Sequence, residues 1–168
     1  VNDIVEIGSV DQAVVDLGSG KVDPITGVAS GVDLSTALNQ LKVNGSVTRS
    51  SIDGGAGKDN IIVNSISNSA VNGGAGDDVI QVITSTSQTQ FDGGVGSSDA
   101  LLLPGTFASF GLTSSTSGGT TTFNDVFGNS FVGFESIKFS DINLAPLQQL
   151  TLTPAAATVN EGTTATYA

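Results

Sequence analysis

The chain has 168 residues, and its 16 acidic against 5 basic side chains give a net charge of −11 at pH 7. This balance argues against nucleic-acid binding, which needs clustered Lys and Arg. Because the sequence has no His and no Cys, it cannot form a Ser-His-Asp triad, a Cys nucleophile, a His-ligated zinc site or a disulfide.

Residues 1–50 are expected to form irregular β structure. Two runs rich in β-branched residues, DIVEI from Asp3 and AVVDL from Ala13, predict short strands. Residues 33–41 predict instead a short helix, because leucines recur along one helical face. The pair Asn44-Gly45 then predicts a tight turn.

Residues 51–103 contain one phrase three times, beginning at Ser51, Ala70 and Gln90. The first glycines of the phrases lie 19 and then 20 residues apart. Such a period indicates a solenoid, in which each turn of chain buries its apolar side against the next. The two-residue period of the strands predicts two apolar ladders. The predicted inward positions are Ile52, Ile61, Val63, Val71, Ile80, Val82, Phe91, Leu101 and Leu103.

Each phrase combines the sequence Gly-Gly-x-Gly with acidic residues. Glycine reaches backbone conformations closed to residues with a Cβ, so successive carbonyl oxygens can point into one small space. A nearby Asp adds a carboxylate, and Ca²⁺ binds six to eight oxygens of these two kinds. A phosphate-binding loop is the alternative, but such a loop favours a following helix, whereas β-branched strands follow here.

The segments GGAGKDNII and GGAGDDVIQ resemble the nine-residue calcium repeat G-G-x-G-x-D-x-U-x of RTX, or haemolysin-type, proteins. The resemblance implies an all-β fold, a short right-handed parallel β-roll or β-solenoid with calcium between the glycine loops of neighbouring coils. It implies a first metal site made by Gly55, Gly57 and Asp59 with Gly73, Ala75 and Asp78. It implies a second made by Gly74, Gly76 and Asp78 with Gly93, Val95 and an acid of the third loop.

The third loop departs from the repeat, because Ser98 holds the sixth position and Asp99 comes one residue late. Either the loop bulges to bring Asp99 to the site, or the second site is weak or empty. The turns at residues 64–69 and 84–89 have no glycine loop, so about two calcium ions are expected, on one edge of the roll only. Without disulfides, metal binding is the expected brace of the fold.

Residues 104–144 hold all the Phe residues except Phe91. Glycine pairs and Gly128-Asn129 predict hairpin turns in this part. The phrase FVGFESIKFSD, residues 131–141, resembles the segment that often follows an RTX run. It predicts Phe-rich antiparallel strands that cap the open end of the roll.

The resemblance implies that residues 1–144 form a calcium-binding structural module of a secreted or cell-surface multidomain protein, such as an adhesin or a surface-layer protein. Residues 145–168 are expected to be a linker and the beginning of a following β-sandwich module. The expected partners are calcium and neighbouring modules of the same chain, with a cell-surface or polysaccharide ligand as a further candidate. No apolar run approaches the roughly 20 residues that span a bilayer. The chain does not begin with a secretion signal, so any signal is expected to lie outside this sequence.

The alternative is a carbohydrate-binding or polysaccharide-lyase-like parallel β-helix. A lyase generally needs a basic residue near its metal, and Lys58 and Arg49 are the candidates. Composition also permits a paired-carboxylate glycosidase, but the prominent Asp residues are already assigned to metal, so no enzyme is expected. The bond Asp23-Pro24 resembles one cleaved in self-processing modules of some RTX proteins, although such a pair also predicts an ordinary turn.

Overall fold

The structure, a computed structural model, describes residues 3–17 and 39–144. These ranges are nearly all β, and their one helix is α1 (Phe107–Phe110). No helix within them is long and apolar enough to cross a membrane. The strands are β1 (Asp3–Ile7), β2 (Val10–Asp11), β3 (Val14–Asp16), β4 (Asn39–Thr48), β5 (Ser51–Asp53), β6 (Asp59–Ser67), β7 (Ala70–Asn72), β8 (Val79–Ser87), β9 (Gln90–Asp92), β10 (Ala100–Leu102), β11 (Thr113–Ser117), β12 (Thr120–Asn124), β13 (Ser130–Val132), β14 (Ser136–Lys138) and β15 (Asn143–Leu144).

The strands form two mixed sheets, and from β4 to β10 successive strands alternate between them. Sheet one has the order β1-β4-β6-β8-β10-β14-β15, with β2 beside β4, and sheet two has the order β11-β12-β13-β9-β7-β5-β3. From β4 to β10 each strand pairs in parallel with the next strand of its own sheet. Each repeat of the sequence therefore contributes one strand to each sheet, which confirms the predicted all-β class and its parallel pairing.

The strand register aligns the apolar residues into rows. The pairings place Leu41, Ile61, Ile80, Leu101 and Ile137 in one row of sheet one, and Val15, Ile52, Val71, Phe91 and Phe131 in one row of sheet two. All nine positions that were predicted to face inward are buried, and both sheets contribute to one apolar cluster. Each of these side chains contributes on the order of 1.5–3 kcal/mol by leaving water.

Tertiary pairing overrides two local predictions in the first 50 residues. Strands β1 and β3 confirm the two predicted strands. The helix predicted over residues 33–41 is wrong at its end, because residues 39–41 begin β4, and residues 33–38 lie outside the described part. The turn predicted at Asn44-Gly45 is also wrong, because both residues lie within β4, at an irregularity in its pairing with β6. Asp23-Pro24 and residues 145–168 lie outside the described residues as well.

The predicted antiparallel cap is only partly correct. Strands β11, β12 and β13 are antiparallel, with a turn at residues 118–119, and β14 pairs antiparallel with β15. However, β13 is parallel to β9 and β14 is parallel to β10. The ring of Phe131 stacks on that of Phe91, with centroids 5.7 Å apart. Residues 130–138 therefore extend both parallel ladders by one more layer, because their apolar side chains fit the existing rows.

The connections from sheet one to sheet two are tight turns without glycine loops, and they are shorter than the turns predicted at residues 64–69 and 84–89, because residues 64–67 and 84–87 belong to β6 and β8. Arg49, Asn68 and Gln88 hold left-handed backbone conformations with φ of 48° to 50°. The amide of Arg49 donates to the carbonyl of Ser67, the last residue of β6, at 3.2 Å. The amide of Asn68 donates in the same way to the carbonyl of Ser87. The glycine loops make the return connections, from sheet two to sheet one.

Candidate metal centre

The three glycine loops join β5 to β6, β7 to β8 and β9 to β10, and they stack on one another. Ala75 of the second loop donates its amide to the carbonyl of Gly55 at 2.8 Å, and its carbonyl accepts from the amide of Gly57 at 2.7 Å. Val95 of the third loop makes the same two bonds to Gly74 and Gly76 of the second. The loops therefore lie in direct backbone contact, which brings the predicted carbonyl ligands of adjacent loops together.

Glycine is required in these loops because oxygen atoms occupy the space that a side chain would need. Gly74 has φ +103° and Gly76 has φ +140°, conformations that residues with a Cβ rarely adopt. A Cβ built at Gly74 would collide with the carbonyl oxygen of Gly55, and one built at Gly76 with that of Gly57. The sequence Gly-Gly-x-Gly is thus explained by close approach of backbone oxygens.

Four acids form a line along the stack of loops, which we call the carboxylate row: Asp59, Asp78, Asp99 and Glu135. The amide of each acid donates to the carboxylate of the next, from Asp59 to Asp78, from Asp78 to Asp99 and from Asp99 to Glu135, each at 2.7 Å. The side chains of Asp59, Asp78 and Asp99 are fully buried. The row therefore continues without interruption from the first loop to β14.

The extra residue of the third loop does not displace its acid from the row. Asp99 has the same relation to Asp78 as Asp78 has to Asp59, although Asp99 comes one residue late in the sequence. The third loop therefore places Asp99 in the row, and the completion of the second metal site by Asp99 stays a prediction.

Sequence reasoning missed Glu135 as a member of the row. The segment Phe131-Val132-Gly133 repeats the apolar-x-Gly pattern of Phe91-Asp92-Gly93, which was a usable signal. Only one residue separates Gly133 from Glu135, and this short spacing concealed the match.

The buried carboxylates lack part of the hydrogen bonding that their charge requires. The Oδ2 atoms of Asp78 and Asp99 are buried and have no hydrogen-bond partner. A Cβ at Gly73 would lie 2.7 Å from Oδ2 of Asp78, and the carbonyl oxygen of Gly93 borders the same space. Around Gly54, the carbonyl oxygen of Gly73 and Oδ2 of Asp59 are arranged in the same way. Since burying an uncompensated carboxylate is costly, this donor set fits a bound cation.

The electrostatics of the row also favour added positive charge. Burial is the main cause that raises the pKa of Asp78 above its ordinary value, and the charge of Asp77 adds to it. Burial likewise raises the pKa of Asp99 to about 6, with further contributions from the charges of Asp78 and Glu135. The hydrogen bonds from backbone amides lower the pKa of both carboxyl groups, and the charge of Lys58 lowers that of Asp78. These effects are smaller than the rise caused by burial. A cation beside these carboxylates would relieve the cost of their ionisation.

The two basic candidates for lyase chemistry lie apart from each other. Arg49 is in a connection from sheet one to sheet two, where its Nη2 bonds Oδ1 of Asp11 at 2.8 Å. Lys58 is exposed in the first glycine loop, beside Asp59. The structure therefore does not bring the two side chains together at one site.

The stacked loops and the carboxylate row form a strip that offers carbonyl and carboxylate oxygens to a hard cation. Within residues 3–17 and 39–144, no group of three or more His, Cys, Asp or Glu side chains converges into a metal-binding cluster. Most of the predicted ligands are backbone carbonyls, each of which has two lone pairs. No protein-family model, no curated protein and no solved structure matches this chain.

Proposed function

We propose that this chain is a calcium-binding structural module of a secreted or cell-surface protein, a parallel β-roll whose glycine loops hold calcium along one edge. The observation that carries the proposal is the buried Oδ2 of Asp78, which has no hydrogen-bond donor and shares a space with the carbonyl oxygen of Gly93. A module of this kind has a mechanical role, as a rigid spacer between neighbouring modules of a long chain.

Calcium suits this donor set better than other common metals do. Zinc sites use Cys and His ligands, and the chain has neither. Magnesium demands near-ideal octahedral geometry and retains several waters, whereas calcium accepts irregular sets of carbonyl and carboxylate oxygens. The first site would use Gly55, Gly57 and Asp59 from one loop, with Gly73, Ala75 and Asp78 from the next.

Calcium binding would be coupled to folding. Without metal, the chain must bury the carboxylates of Asp78 and Asp99 with no hydrogen-bond donor to Oδ2, which weakens the stacked loops. Two calcium ions, each with two positive charges, would bring the net charge from −11 to −7. If the affinity resembles that of extracellular calcium modules, about 10⁻⁴ M, millimolar calcium stabilises each site by roughly 1.4 kcal/mol. The module would then be poorly folded in a calcium-poor cytoplasm and stably folded outside the cell.

Thermal unfolding followed by circular dichroism tests this function. We expect millimolar calcium to raise the unfolding midpoint relative to excess EDTA, and Asp78→Asn to remove most of that gain because Asp78 serves both predicted sites. Asn keeps an oxygen that can accept from the amide of Asp59, so the variant should still fold.

Asp77→Asn is the matched control for this experiment. Asp77 neighbours Asp78 in sequence but bonds Ser97, outside the carboxylate row. The control should keep the calcium response. If the wild type unfolds at the same temperature in EDTA and in calcium, the calcium function is wrong.

A further inference from the structure

We propose that the strip carries one more calcium site than the repeat motif predicts, between the third glycine loop and Gly133, with Asp99 and Glu135 as its acids. This inference rests on the proposed function and extends it to a segment that has no Gly-Gly-x-Gly motif. The site would take a hard divalent cation, because its donors are carboxylate and carbonyl oxygens.

Gly133 contacts the third loop as Gly93 contacts the second, although its φ of +74° differs from that of the first loop glycines, which do not have positive φ. A Cβ at Gly93 would meet the carbonyl oxygen of Gly133, just as a Cβ at Gly73 would meet that of Gly93. The amide of Gly93 donates to the carbonyl of Val132 at 2.9 Å, and the amide of Gly73 donates to the carbonyl of Asp92 at the same distance. Gly133 therefore takes the place of a first loop glycine in a fourth layer.

The Cβ of Asp99 lies towards this fourth layer as the Cβ of Asp78 lies towards the third, while the carboxylate oxygens of Asp99 lie beside Gly96 of its own loop. The Cβ of Asp99 lies 2.9 Å from the position of a Cβ built at Gly93, and the Cβ of Asp78 lies 3.0 Å from one built at Gly73. Asp99 is fully buried, and its Oδ2 has no hydrogen-bond partner. By the pattern of the row, Asp78 is an acid of the site between the second and third loops. Asp99 would be an acid of the site between the third loop and the fourth layer.

Glu135 supplies the second acid of the proposed site, from the fourth layer. Its Oε2 accepts the amide of Asp99 at 2.7 Å, as Oδ1 of Asp99 accepts the amide of Asp78. The segment from Gly133 to Glu135 is shorter than a full loop, and the additional methylene of Glu compensates for this with longer reach. This layer also supplies fewer carbonyl oxygens than a full loop, so water would complete the coordination and the site would be the weakest of the series.

Calcium stoichiometry tests the inference. Equilibrium dialysis of the full chain against calcium, with bound metal counted per chain by atomic emission, should give three ions for the wild type. Glu135→Gln should bind two, because Gln can still accept the amide of Asp99 but carries no charge. Glu6→Gln is the matched control, since Glu6 is exposed on β1 and pairs with Lys42 of β4, and it should bind three.

The possible outcomes separate this inference from the proposed function. Two ions in the wild type, or three in Glu135→Gln with an unchanged circular dichroism spectrum, would overturn the further site and leave calcium binding in place. No bound calcium in the wild type would overturn both. The wild-type count decides the question even if the variant does not fold.

Discussion

At the scale of single residues, the carboxylates of the row divide their two oxygens between two tasks. In Asp78 and Asp99, Oδ1 accepts a backbone amide and holds the layers in register, while the buried Oδ2 has no donor. A partly satisfied buried carboxylate is normally a cost to folding. This division explains how the acids can order the loops and still offer oxygens to a cation.

Titration of Asp99 should make the metal-free protein less stable as the pH rises. The folded-state pKa of about 6 lies above the ordinary value of 3.8, so the folded protein binds this proton more tightly than the unfolded chain. The stabilising contribution is complete below pH 3.8 and is lost as the pH rises through about 6. Urea unfolding in EDTA across this range measures it.

Asp99→Asn is the control, because it removes this proton while other acids keep theirs. The free energy of unfolding of this variant should fall less than that of the wild type as the pH rises. With calcium present the trend should reverse, since the metal competes with the proton for the same carboxylate. Equal slopes for the wild type and Asp99→Asn would show that Asp99 is not the group responsible.

At the scale of elements, the two kinds of connection are built differently. The turns from sheet one to sheet two tolerate side chains in left-handed conformations, as Arg49 and Asn68 show. The return loops do not, because carbonyl oxygens of one loop fill the space above the glycines of the next. Only the return loops therefore concentrate oxygens, which confines the proposed calcium binding to one edge.

Gly74→Ala should destabilise the protein by at least about 3 kcal/mol, because strained φ is combined with a collision against backbone of the first loop. Gly118→Ala should cost only about 1–2 kcal/mol, since Gly118 has φ +60° but no atom within 4 Å of an added Cβ. Urea unfolding of both variants measures the difference. Equal losses would mean that the loops do not stack as closely as described.

At the scale of the whole molecule, the parallel ladders run past the recognisable repeats. Phe131 aligns with Phe91 in sheet two, and Ile137 aligns with Leu101 in sheet one, all fully buried. The Phe-rich part thus does more than cover an open end: it adds a layer to the core. The carboxylate row gains its fourth acid, Glu135, through the same continuation.

Phe131→Ala should therefore destabilise the protein by about 3–5 kcal/mol, the usual loss for a buried Phe. Phe127→Ala is the matched control, because this ring is 45% exposed and makes one edge contact with Phe110. Its expected loss is about 1 kcal/mol. Thermal or urea unfolding compares the two. A small effect of Phe131→Ala would contradict a continuous core.

The sequence predicted most of the strip because equivalent positions of the repeats can be matched within the sequence itself. The loops, the inward rows and three of the four acids follow from a period of about 20 residues and a strand period of two. Predictions from local preference were less reliable. Leu41 was assigned to a helix and Asn44-Gly45 to a turn, yet both lie in β4, because pairing with β6 outweighs weak local propensities.

By itself, the sequence determined the all-β class, the layer spacing and the positions of the glycine loops, since each depends on residues close together in the chain. The tertiary structure decided that β13 and β14 extend the ladders, that Asp99 remains in line despite its late position, and that Glu135 joins the row. These three features depend on contacts between segments about 20 to 40 residues apart. Stacking sets such contacts through shape and hydrogen bonding, so the local motif does not encode them.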